Sequence, residues 1–172
     1  EEMGLRSVQS IVMLDHFDKK KSIADREECQ QMYELSKNWN QNLTSFAVSI
    51  HADYTNSKEN ILWSAEFARK HGLKIHLHVA ETEKEVKDAY QNYGMSSVAY
   101  HDSLGVWGSD VVAAHAVWLS DEDVQILGKN HVNVVHNPHS NLKLSSGYRF
   151  LYEELRDAGA NVTLGTDGAA SN

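Results

Sequence analysis

The sequence has one cysteine and one proline in 172 residues, Cys29 and Pro138. A single thiol cannot form an internal disulfide, so the fold rests on its core, and this cysteine usage predicts a reducing, cytoplasmic setting. No Pro-rich or Gly/Ser-rich linker, repeat or low-complexity tract interrupts the chain. Apolar runs fall far short of the ~20 residues that a transmembrane helix needs, and no stretch reads as a signal peptide. Positive charge is also scarce: 16 Lys and Arg stand against 24 Asp and Glu, a net charge of −8. Nucleic-acid and membrane surfaces usually require a basic patch, so neither partner is expected. Histidine, in contrast, is abundant, with 10 residues, and 41% of the chain is hydrophobic, enough for a sizeable core.

The most informative stretch is Leu73-Lys-Ile-His-Leu-His-Val-Ala-Glu81. Its alternation and β-branched content predict a strand, with His76 and His78 on the face opposite Ile75. Glu81 falls where the strand turns into a helix, and Thr82 with Glu85 predicts a capping box. Elsewhere, strands are predicted over 5–14, 43–50, 111–117, 132–135 and 161–164. Helices are predicted over 23–39, with Ile23, Met32, Leu35 and Trp39 inward, and from the Ser57 cap to Lys70 before Gly72. Further helices follow Thr82, Ser96 and Ser120, and cover 150–158. Strand and helix alternate, which points to parallel βα units of an α/β fold. Six units are visible, two fewer than in a closed (β/α)8 barrel. An open arc of six would have two unpaired edges, to be covered by segments outside this sequence or by another copy of the chain in a homo-oligomer.

Five predicted strands end in a polar group at the same relative place: His51, His78, His115, His136 and Asp167. In a parallel barrel such ends converge on one mouth. Imidazoles with a carboxylate, in a chain with a single cysteine, suggest one divalent metal, Zn²⁺ first and Fe²⁺ second. Each residue taken alone has an ordinary explanation. A lone strand histidine is commonly a rim or core residue, and Asp167 between glycines fits a turn. The recurrence favours a site, catalytic or structural.

Four segments carry a family resemblance: His-Val-Ala-Glu-Thr (78–82), Ala-Ala-His-Ala-Val-Trp-Leu (113–119), His-Asn-Pro-His-Ser-Asn-Leu-Lys-Leu-Ser-Ser-Gly (136–147) and Leu-Gly-Thr-Asp-Gly-Ala-Ala-Ser-Asn (164–172). Their order and spacing resemble the amidohydrolase superfamily. The similarity is to its deaminase/chlorohydrolase branch, which includes deaminases of S-adenosylhomocysteine and methylthioadenosine, guanine deaminases and s-triazine hydrolases. The resemblance implies a partial TIM (β/α)8 barrel over 1–172, matching strands 3 to 8. The first two βα units, the last helix and a small β-sandwich are then absent from this chain.

It also implies roles. His78 and Asp167 match metal ligands, Glu81 a proton shuttle, and His115 the histidine that hydrogen-bonds the attacking water. Asp167 also matches a proton acceptor. His51 and Ser171 are similar to substrate-contacting residues. The implied reaction is deamination or dechlorination of a purine, adenosine-derivative or triazine-like ring, a small heterocyclic substrate, by metal-activated water. The Asn-Pro-His-Ser-Asn run is expected to shape the mouth of the site without a direct catalytic part. No His-x-His pair precedes residue 43 to complete the implied metal site. The alternative is therefore a catalytically incomplete fragment or binding module that keeps the family fold.

Overall fold

The computed structural model describes residues 4–147 and 149–171; Asn172, the last residue of the fourth motif, lies outside the described residues. The chain divides into two compact units, the boundary falling between His76 and Leu77, inside one strand.

In the first unit, β1 (Ser7–Met13) leads to α1 (Lys19–Ser36), β2 (Thr44–Ile50), a 3-10 turn (Asp53–Thr55) and α2 (Lys58–Lys70), then into β3 (Lys74–Val79). β1 and β2 pair in parallel, in register from Ser7 with Thr44 to Met13 with Ile50. A helix of 18 residues makes the crossover. The helix ends follow local chemistry. Asp18 caps α1 by accepting from the Lys20 and Lys21 amides (2.7 and 3.0 Å), and Ser57 caps α2 through the Asn60 amide (3.3 Å).

The face of α1 differs from the expectation. Ile23 and Leu35 are exposed, and the buried stripe is Ser22, Asp25, Cys29 and Ser36. Hydrogen bonds explain the reversal. Asp25 accepts from the Leu14 amide (3.0 Å) and from Lys21 (2.7 Å), and Ser22 donates to the buried Asn60 amide oxygen (3.2 Å). Burying polar groups costs little when they are paired, so these contacts override the apolar pattern.

The second unit holds the end of β3, α3 (Glu83–Tyr93), α4 (Ser97–Ser103), β4 (Val111–His115), α5 (Asp121–Lys129), β5 (Asn133–His136), α6 (Pro138–Lys143), α7 (Tyr152–Ala158) and β6 (Asn161–Leu164). β4, β5 and β6 pair in parallel and in chain order, Ala113 with Val134 and Val134 with Val162. Ile75, Leu77 and Val79 of β3 are fully buried while His76 and His78 are half-buried, the period-2 split read from the sequence. α6 lies where a loop was expected; Pro138 opens it at a position that has no helical amide partner to lose. Gly128 of α5 lies directly against the Ala158 backbone of α7, an approach that leaves no room for a Cβ. No helix among the described residues is long and apolar enough to cross a membrane.

Candidate active site at the strand ends of the second unit

The turns after β3 and β4 hold each other. The amides of Ala116 and Val117 donate to the Val79 and Ala80 carbonyls, both at 3.0 Å, continuing the ladder past the strands. Ala80, His115 and Ala116 adopt positive φ (49°, 75° and 50°), and Asp167 after β6 does the same (62°). A residue with a Cβ in this region stores of order 1–3 kcal/mol, and such strain gathers where side chains are aimed for a purpose.

The cluster is built from these turns. The His78 and His115 rings lie 5.4 Å apart at 40°. His115 is 2% exposed, and its Nε2 stands 3.7 Å from Oε2 of Glu81. The other Glu81 oxygen, Oε1, accepts from the Ser146 hydroxyl (3.0 Å). Nδ1 of His115 meets the side-chain oxygen of Asn141 (2.9 Å). Asp167 accepts from the hydroxyls of Ser140 (2.6 Å) and Ser171 (2.9 Å) through Oδ2 and from the Gly168 amide (2.7 Å) through Oδ1. Burial pulls the Asp167 pKa upward, but the two hydroxyls, the amide and the nearby His115 outweigh it. The carboxyl is held below its usual range and is ionised at neutral pH.

Glu85 fixes the turn that presents Glu81. Thr82 Oγ1 accepts from the Glu85 amide (3.1 Å), as the capping pattern predicts. The Glu85 carboxylate then accepts from the Ala80 (2.7 Å) and Glu81 (2.9 Å) amides, two residues and one residue before the cap. Both amides belong to the strained turn, and that of the buried Ala80 would otherwise be a buried donor without a partner.

Other predicted residues are placed differently. His136 stacks on Phe150 (4.2 Å, 19°), and its buried Nδ1 has no hydrogen-bond partner among the described residues. Burial lowers its pKa, so the ring is neutral at pH 7. His51 belongs to the first unit. There its Nδ1 is 2.9 Å from the Thr55 hydroxyl, and Tyr54 meets its ring edge-on (5.9 Å). Ser171 is tied to Asp167 and shares its hydroxyl with the Gly168 carbonyl (3.1 Å). A cavity of about 730 Å³ lies elsewhere in the second unit, lined by Val86, Tyr90, Trp118, Gly147 and Arg149 among others.

The sequence reading missed Ser140, Asn141 and Ser146. All three lie in the 136–147 motif, whose Asn-Pro-His-Ser-Asn part was expected to shape the mouth of the site, but no residue of it was singled out. Among the described residues no group of three or more His, Cys, Asp or Glu can hold a metal ion, whereas zinc takes four donors.

With this arrangement in view, comparison with known proteins defines the class. The amidohydrolase family matches residues 1–172, and the chain belongs to that family. Its six parallel βα units are part of the (β/α)8 barrel of such enzymes. The chain is 42% identical over 172 residues to a 5-methylthioadenosine/S-adenosylhomocysteine deaminase of Thermococcus sibiricus, covering all of this chain and 40% of that protein. It is 43% identical over 171 residues to a 5'-deoxyadenosine deaminase of Methanopyrus kandleri, covering 99% and 39%. A solved structure of an adenosine deaminase from Xanthomonas campestris with bound zinc superposes with a TM-score of 0.88 at 34% identity, over 99% of this chain and 39% of that one. The chain thus spans about two fifths of the length of the relatives it matches.

Proposed function

We propose that this chain supplies the proton-transfer side of an active site that hydrolytically deaminates the adenine ring of a 5'-modified adenosine. The observation that carries the reading is Glu81, with one carboxylate oxygen held by Ser146 and the other facing Nε2 of the buried His115. The matched deaminases support the substrate class. Addition of water to the ring carbon bearing the amino group requires a base for the water proton and an acid for the adjacent ring nitrogen. A single carboxylate between the two can serve both in turn. Glu81 takes the water proton and delivers it to the ring nitrogen. His115 orients the water, and Asp167, ionised before the reaction, receives the second water proton and passes it to the amino group, which leaves as ammonia. Ser171, tied to Asp167, contacts the nucleoside.

We assign His78 and Asp167 as this chain's share of a site for one divalent metal, zinc first and Fe²⁺ second. The remaining donors come from the rest of a longer, cytoplasmic enzyme, of whose barrel domain residues 1–172 form a part. The test is ammonia release from 5'-deoxyadenosine and methylthioadenosine by the complete enzyme. Glu81→Gln, which keeps shape and removes the base, is expected to lower turnover about 10²-fold or more. An unchanged rate would refute the assignment of Glu81.

A further inference from the structure

We propose that Asn141 is a positioning residue: it holds the protonated Nδ1 of His115 and so fixes the ring tautomer that presents Nε2 to Glu81. The inference rests on the proposed function only for its catalytic consequence; the geometry stands without it. A neutral imidazole has two tautomers, and the partner of one nitrogen decides the state of the other. The Asn141 side-chain oxygen can only accept, so at 2.9 Å the His115 Nδ1 must donate. Both residues are 2% exposed, so water does not compete for the bond. Nε2 is left as the nitrogen 3.7 Å from the Glu81 carboxylate.

The segment carrying Asn141 is itself pinned. The Asn141 amide donates to Asn137 (2.9 Å), its carbonyl accepts from the Ser146 amide (2.9 Å), and the Trp118 indole donates to the Ser146 carbonyl (2.6 Å). The same short segment sends Ser140 to Asp167 and Ser146 to Glu81. Three groups that come from three separate turns therefore take their orientation from seven consecutive residues. A positioning group outside the reacting atoms typically changes activity 10–100-fold when removed.

The decisive readout is the tautomer. Long-range ¹⁵N–¹H correlation spectra of the complete enzyme, labelled at histidine and recorded near pH 8, separate protonated from unprotonated ring nitrogens, and a His115→Gln sample assigns the signal. Nδ1–H is expected for His115 in the parent chain and in Asn141→Asp, which keeps the acceptor. A shift toward Nε2–H is expected in Asn141→Leu. An Nε2–H ring in the unaltered chain overturns the proposal even if Asn141→Leu does not fold, and an unchanged tautomer in folded Asn141→Leu overturns it as well. In the complete enzyme, Asn141→Leu is expected to lower kcat 10–100-fold with KM changed less than about twofold, and Asn141→Asp to recover part of kcat. A rise in KM alone would overturn the positioning role. If the complete enzyme lacks deaminase activity the proposed function fails, and the tautomer spectra still decide this inference.

Discussion

Gly147→Ala should destabilise the protein well beyond the ordinary cost of a glycine substitution, because Gly147 is where the Asn141–Ser146 segment meets Trp118. Its φ is 145°, a conformation that is essentially glycine's alone. A Cβ there would sit 2.7 Å from Val117 Cγ1 and 3.0 Å from the Trp118 indole nitrogen. Backbone strain of ~1–3 kcal/mol adds to overpacking of ~1–3 kcal/mol. Displacing Trp118 also weakens its bond to the Ser146 carbonyl, worth ~1 kcal/mol net. Since these terms relieve one another in part, we expect about 3–5 kcal/mol, which for a chain of this size lowers Tm by roughly 6–20 °C.

Gly94 provides the control. Its φ is 72° and, beyond its two chain neighbours, no atom of the described residues lies within 4 Å of the point where an alanine methyl would stand, so Gly94→Ala incurs the left-handed backbone cost alone, ~1–2 kcal/mol or about 2–8 °C. The assay is thermal unfolding of both variants followed by circular dichroism at one scan rate. If Gly147→Ala melts within about 2 °C of Gly94→Ala, the close approach to Trp118 carries no energy and the expected difference is refuted.

Further expectations concern the first unit. Ser57 both caps α2 and donates to Asp15 (2.5 Å). Burial raises the Asp15 pKa, but the Ser57 hydroxyl, the Phe17 and Ser57 amides and Ser22 outweigh it, so the folded value lies below the usual 3.8. A depressed carboxyl contributes stability above its unfolded pKa and loses it as pH falls through the folded value. Ser57→Ala should therefore cost about 1–2 kcal/mol at pH 7 and less below about pH 4; urea titrations at pH 7 and pH 3 giving equal losses would contradict this. Cys29 is fully buried, and burial together with Glu28 pushes its thiol up to about 12. At pH 8 a thiol reagent should label it only as fast as the chain opens, so rapid labelling of the native protein would show that α1 does not bury it.

Much of the secondary structure was decided by neighbours within four residues. Alternation in β3 put Ile75, Leu77 and Val79 inside and left His76 and His78 together on the other face. Ser57, Thr82 and Ser120 capped helices through hydroxyls that accept nearby amides, and Gly94 closed α3 at a positive φ. The resemblance likewise singled out His78, Glu81, His115 and Asp167 as candidates, since a motif records the types and spacing of residues.

Tertiary structure decided what those residues touch. The inward face of α1 could not be read from apolar spacing, because Asp25 is buried with a partner outside the helix, the Leu14 amide just after β1. Glu85 fits a capping pattern in sequence, yet its carboxylate serves the Ala80 and Glu81 amides of a strained turn. Asn141 lies 26 positions from His115, and Ser146 lies 65 from Glu81. Local sequence preferences act over one or two helical turns, whereas a hydrogen bond across such separations exists only once packing has brought the backbones together.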